Sequence, residues 1–248
     1  MDKGVGFYRT LTLPWLDAAA TFVGESDDAA ALRARLEPIV APHIEGRVPR
    51  RKTIDLLVNI WLRTGEVSPT LHATAVEWNR TTMEPGDRLW LHYGLTLLYY
   101  PFFRDSVEAL GQLGRFEDAI TTAMVQERMV AEMGALGSLP RALRHLVASL
   151  RAWGILEPAE GARYAYRPQR RAFGAGDVAL EAWLLACALR AHPAEELPFA
   201  DLLRLPELFP FRFTLVVDDL RRHPWFAVQR QGAGWEMVRL QLEKGQST

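Results

Sequence analysis

The sequence predicts a mainly α-helical protein: an N-terminal helical domain over residues 1–100, then two units, 101–173 and 174–248, in which helices precede a small β-hairpin. Three observations predict it. Apolar residues recur at helical spacing through the first half of the chain, as at Ile54, Leu57, Val58, Trp61 and Leu62. Two-residue alternation is confined to short runs beside glycine turns, most cleanly Trp225–Gln229 and Trp235–Leu240 around Gly232-Ala233-Gly234. The order of helices followed by a hairpin occurs twice.

Taken in order, Leu11–Phe22 and Asp27–His43 read as amphipathic helices, the second started by Ser26-Asp27 and poorly tolerant of Pro38. Arg47-Val48-Pro49-Arg50-Arg51-Lys52 reads as a basic connector and an auxiliary phosphate contact. It leads into a helix over Thr53–Arg63 that Gly65 ends. Ser68-Pro69 starts a helix through Arg80 with Leu71, Ala75 and Trp78 inward, and Asp87 caps an apolar helix to Tyr100. The first unit takes Phe102–Leu113, Phe116–Met133 (regular from Thr122) and Ser138–Trp153 as its helices. Ser138 is the N-cap and Pro140 lies in the first turn. Ile155–Glu157 and Arg163–Tyr166 form its hairpin, with at least one of Tyr164 and Tyr166 packing beneath it. The second unit takes Asp177–Ala191, Phe199–Leu205 and Thr214–His223 before the Gly232 hairpin.

Net charge is −1, yet it is unevenly spread: residues 140–175 carry 7 basic and 2 acidic side chains, a local +5. Within Ser138–Trp153, Leu139, Leu143, Leu146, Val147 and Leu150 fall inward, whereas Arg141, Arg144, His145, Ser149 and Arg151 fall on the outer arc. Arg141 to Ala152 holds no Asp or Glu. A helix face shaped only by solubility mixes both signs, so an unpaired basic face points to phosphate. The second unit's third helix instead sets Asp218-Asp219 beside Arg221-Arg222, a poor match to a phosphate backbone and a better one to protein.

Other classes are disfavoured by the residues. The one cysteine, Cys187, lies in an apolar helical run, which leaves no disulfide framework or thiolate metal site. The six histidines are scattered, with no HExxH or paired spacing, so no metal is expected. Gly111-Gln112-Leu113-Gly114 lacks the Lys-Ser/Thr ending of a phosphate loop, and no nucleophile elbow is present. No catalytic residues and no cofactor are therefore expected. The aromatic cluster Trp90, Tyr93, Tyr99, Tyr100, Phe102, Phe103 reads as core. The N-terminal residues show no charged-then-apolar signal pattern and no apolar run reaches the ~18 residues of a membrane span, so a cytoplasmic protein is expected.

Residues 116–166 resemble the winged helix-turn-helix superfamily in the Gly137-Ser138-Leu139-Pro140 turn, the basic helix and the Trp153-Gly154-Ile155-Leu156 exit. With 177–240 included, the resemblance is to a tandem of such units. The whole layout, with Arg51-Lys52-Thr53 and Ile60-Trp61-Leu62 ahead of these segments, is similar to the BrxA-like accessory proteins of bacterial BREX-type anti-phage systems. The resemblance implies a DNA-binding accessory or regulatory protein. Its duplex-DNA contacts would be Ser138, Arg141, Arg144, His145, Arg151, Arg163, Arg167, Arg170 and Arg171. The alternative is a protein-docking subunit of a larger assembly, as in the tandem winged-helix subunits of condensin-like complexes.

Overall fold

A computed structural model of the chain describes residues 6–81, 84, 86–134, 136–161, 164–232 and 234–242. Six helical segments build the N-terminal part: α1 (Leu13–Val23), α2 (Ala29–Val40), α3 (Arg47–Val58), α4 (Thr64–Val67), α5 (Pro69–Arg80) and α6 (Arg88–Tyr99). Asp28, one residue beyond the expected cap, accepts from the backbone N–H groups of Ala30 and Ala31 and starts α2. Pro38 stays inside α2, because Leu36 and Val40 on either side of it are fully buried and hold the turn in place.

The basic run Arg47–Lys52 is not a connector but the first turns of α3. Pro49 is accommodated there because the first N–H groups of a helix lack intrahelical partners anyway. Gly65 does not end the helix. A π-helical turn, Asn59–Arg63, carries the chain into α4, with the Thr64 hydroxyl donating to the Ile60 carbonyl at 2.7 Å.

The chain continues through α7 (Pro101–Leu113), β1 (Ile120–Thr121), α8 (Thr122–Met133), α9 (Leu139–Ala152), β2 (Leu156–Pro158), β3 (Ala165–Pro168) and β4 (Phe173–Gly174). The β1-β3-β2 sheet is antiparallel, with Ile120 opposite Tyr166 and Glu157 opposite Arg167. Phe116 is therefore not helical: the segment ahead of α8 runs to β1, whose partner lies far along the chain. Next come α10 (Val178–Ala191), β5 (Glu196–Pro198), α11 (Phe199–Leu202), a 3-10 turn at Pro206–Leu208 and β6 (Phe211–Arg212). α12 (Val217–Arg222), β7 (Phe226–Gln231) and β8 (Trp235–Leu240) complete the chain. Here the antiparallel sheet runs β5-β8-β7, the same arrangement as β1-β3-β2. The short parallel pair β4–β6 joins the two.

One connected apolar core runs through all of these elements. Its spine is aromatic: Phe7, Phe103, Tyr93, Phe211 and Trp90 stand in successive ring contacts of 4.5–5.7 Å, and Trp153 joins at Phe103, also at 5.7 Å. α6 meets α10 at Gly94, where a Cβ would lie 2.4 Å from the Trp183 ring. Glu181, fully buried in the first turns of α10, accepts from the Thr214 and Leu215 N–H groups and the Thr214 hydroxyl at 2.7–2.9 Å. That network pins the approach to α12, and a charged acceptor so satisfied is stable inside a protein.

Glu207 is the opposite case. It is 2 % exposed, and burial pushes its carboxyl from an ordinary 4.5 up to about 7. The folded protein therefore holds this proton more tightly than the unfolded chain. The resulting stability is fully present below about pH 4.5 and is lost as pH rises through about 7. Glu207→Gln, a neutral isostere, is expected to match the native protein at pH 4 and to exceed it by about 3 kcal/mol at pH 8, at ~1.4 kcal/mol per unit. Urea midpoints at the two pH values check this; an offset of equal size at both would remove the linkage.

Candidate nucleic-acid interface

The most one-sided charge in the described structure lies on α9. Leu139, Leu143, Leu146, Val147 and Leu150 are buried as the spacing requires, and Arg141, Arg144 and Arg151 are exposed. Among the described residues none of these three guanidinium groups pairs with a carboxylate; Arg151 instead stands 5.4 Å from the Tyr166 ring on β3. Arg141 also sits in the first turn, where a cation opposes the helix dipole, at a cost of ~0.3–1 kcal/mol. An anion at that end reverses the sign.

Ser149 does not belong to the outer face. It is fully buried: its hydroxyl accepts from the Leu11 N–H at 2.8 Å and donates to the His145 carbonyl at 3.0 Å. The cause is a strap, residues 7–11, laid along this side of α9. Thr10 meets His145 Nδ1 at 3.2 Å, and the Trp153 indole donates to the Leu11 carbonyl at 3.0 Å. His145 is half-buried, and its pKa is held below 6.5 by burial first and then by the charges of Arg9, Arg141 and Arg144. At neutral pH it is uncharged, so the positive field belongs to the arginines. Ser138 is exposed and makes no side-chain cap, which corrects its expected capping role.

On the hairpin, Arg163 lies outside the described residues. Arg167 is exposed and sits opposite Glu157 across β2–β3, which dilutes its charge. Tyr164 is 64 % exposed at φ +62°, whereas Tyr166 is half-buried beneath Arg151. Arg170 and Arg171 leave the hairpin. The Arg170 guanidinium donates to the Glu117 carbonyl at 3.0 Å and lies 3.6 Å from Asp118. The Arg171 backbone, at φ +50°, donates to the Phe209 carbonyl at 2.8 Å. Of the eight predicted residues that are described, Ser138, Arg141, Arg144, His145 and Arg151 lie at α9 and Arg167 on the hairpin, while the Arg170 side chain turns back to the segment before β1 and the Arg171 backbone bonds the second unit.

The strap adds what sequence reasoning missed. Arg9 acts electrostatically on both His145 and Tyr8, and the Lys52 ammonium lies 5.6 Å from the Tyr8 ring. The basic start of α3 thus reaches the α9 face through Tyr8 and Arg9. A single arginine 136 residues before His145, its neighbour in space, carries no sequence signal.

In α12 the charges cancel. Asp219 accepts from the Val216 N–H and from Arg222, both at 2.8 Å, and Arg221 pairs with Asp218 and with Glu236 on β8. Elsewhere, buried His92 accepts from the Trp61 indole at Nδ1 and faces Asp17 through Nε2, so both ring nitrogens are engaged. Burial holds its pKa down, keeping it neutral. Among the described residues there is no cluster of three or more metal-ligating side chains, and no helix is long and apolar enough to cross a membrane. No family model, curated protein or solved structure matches this chain.

Proposed function

We propose that the protein is a non-enzymatic, double-stranded-DNA-binding protein that docks α9 on the duplex and lays the β2–β3 hairpin beside it. The observation that carries this reading is the contrast between two helices in equivalent places. Arg141 and Arg144 on α9 have no acidic partner among the described residues, while Arg221 and Arg222 on α12 are paired. The order of helix, strand, two helices and a two-stranded hairpin, which the second unit repeats with the Pro206–Leu208 turn and β6 inserted between its two helices, supports a tandem winged-helix reading, with α9 as the recognition helix. Exposed Arg141 and Arg144 near its N-terminal end suit base edges or phosphates, and Arg151, Arg167, Arg9 and Lys52 suit the flanking backbone. An accessory role in a bacterial anti-phage system, or in transcriptional regulation, fits such a module.

The test is an electrophoretic shift with duplex DNA. Arg141→Glu, Arg144→Glu and Arg151→Glu combined are expected to abolish the shift. Native binding is expected to weaken with salt at a log–log slope of about −0.9 per phosphate neutralised. Glutamate at 141 favours the helix dipole whereas glutamate at 151, in the last turn, opposes it, so binding is compared at equal folded fraction, set by the melting curve of each protein. Undiminished binding by the triple variant would exclude the α9 face. The charge-paired α12 favours protein docking for the second unit. Co-purification with a stable partner, and no duplex affinity at about 50 mM salt, would extend docking to the whole protein.

A further inference from the structure

Between the two units lies an open cleft of about 720 Å³. Four arginines line it, each from a different turn of chain or a different side of one: Arg115 after α7, Arg170 and Arg171 between β3 and β4, and Arg204 after α11. The only lining carboxylate among the described residues is Asp201. Two of the guanidinium groups are already oriented by backbone: Arg115 donates to the Arg204 carbonyl at 2.7 Å, and Arg170 to the Glu117 carbonyl. Arg171 is fixed at its own backbone by Phe209, and β4–β6 pairing locks that crossing. The floor is apolar, with Leu205, Leu208 and Phe211 buried and Phe209 half-exposed. A smaller cleft of about 300 Å³ shares Arg171 and Arg204 and adds Arg212.

We propose that this cleft binds a small phosphorylated ligand of nucleotide type, its oligophosphate held by the four arginines and its flat apolar portion laid on Phe209. Charge and donor number decide the class. Each guanidinium offers five N–H donors in a planar fork that matches phosphate oxygens, and four such groups exceed in charge the two carboxylates near them, Asp201 in the lining and Asp118 at 3.6 Å from Arg170. Left empty, the cleft crowds like charges; a ligand of several negative charges relieves them all. The volume lies in the usual range for small-ligand sites. The inference is independent of the α9 reading, since no α9 residue lines the cleft.

Phosphate could come from a free nucleotide or from a nucleic-acid backbone, and titration calorimetry on the full chain separates the two. ATP and inorganic tripolyphosphate are titrated first. Each is expected to bind with one site per chain, ATP more tightly because its base reaches Phe209. Arg171→Glu with Arg204→Glu is expected to weaken both by about tenfold or more, whereas Arg141→Glu with Arg144→Glu leaves both unchanged. Because charge reversal can disturb folding, Arg171→Lys with Arg204→Lys is the second variant. It keeps the charge, loses the fork and should still weaken ATP. Absence of binding by either probe, or binding that the two cleft variants leave intact, overturns the proposal. So does loss of duplex-DNA affinity in the cleft variants of a protein that binds no ATP, because the phosphate source is then nucleic acid.

Discussion

Gly111→Ala is expected to destabilise the fold by about 2 kcal/mol or more, against the usual helical preference for alanine. Gly111 is buried in α7, and a Cβ there would lie 1.9 Å from the Pro206 carbonyl oxygen and 2.6 Å from its carbon. Both are backbone atoms, so no side-chain rotation relieves the overlap. α7 and the Pro206–Leu208 turn would have to separate, at the ~1–3 kcal/mol or more typical of overpacking. Alanine gains only about 1 kcal/mol of helix propensity in return. Separation also strains the Tyr93 hydroxyl, which donates to the Glu207 carbonyl at 2.6 Å, and it moves the floor of the arginine cleft. Denaturant midpoints measure the loss. An alanine variant as stable as the native protein would mean that α7 and this turn do not touch as described.

Trp153→Ala is expected to cost about 3–5 kcal/mol, the range for deleting a buried indole. Trp153 is 2 % exposed, its ring lies 5.7 Å from Phe103, and its N–H satisfies the Leu11 carbonyl. Removing it leaves a cavity in the aromatic spine and an orphaned carbonyl at the strap. Trp153→Phe separates the two effects: it restores most of the ring but not the donor, and should cost about 1–3 kcal/mol. The strap carries Arg9, so on the proposed function the alanine variant should also bind duplex DNA more weakly than the phenylalanine variant at equal folded fraction. A phenylalanine variant as stable as the native protein would show that the Leu11 hydrogen bond contributes nothing.

Most of the helices were legible because their cause is local. The stripe Ile54, Leu57, Trp61 and the inward set Leu139 to Leu150 are periodic and buried as periodicity demands, with Leu62 only half-buried. The Gly232 hairpin was legible for the same reason, since alternation and turn glycines act over a few residues. β1, β4, β5 and β6 were not. Each is two or three residues long and exists only because a distant strand or turn supplies its hydrogen bonds. The same cause displaced Phe116 from its expected helix. The earlier start of α3, at Arg47, had a local signal, Pro49 in a first turn, that its basic neighbours obscured.

The candidate site divides along the same line. The sequence by itself determined that α9 would form, which of its faces would be apolar, and that Arg141, Arg144 and Arg151 would stand outward with no acidic neighbour on their own helix. Tertiary structure alone decided that Ser149 turns in to a strap, that Arg9 and Lys52 come to the α9 side, and that Arg170 and Arg171 leave the hairpin for a cleft with Arg115 and Arg204. Periodicity reports which way a side chain points on its own element, an effect of one or two turns of backbone. What it then meets depends on segments up to about 140 residues away in the chain, such as Leu11 and Trp153.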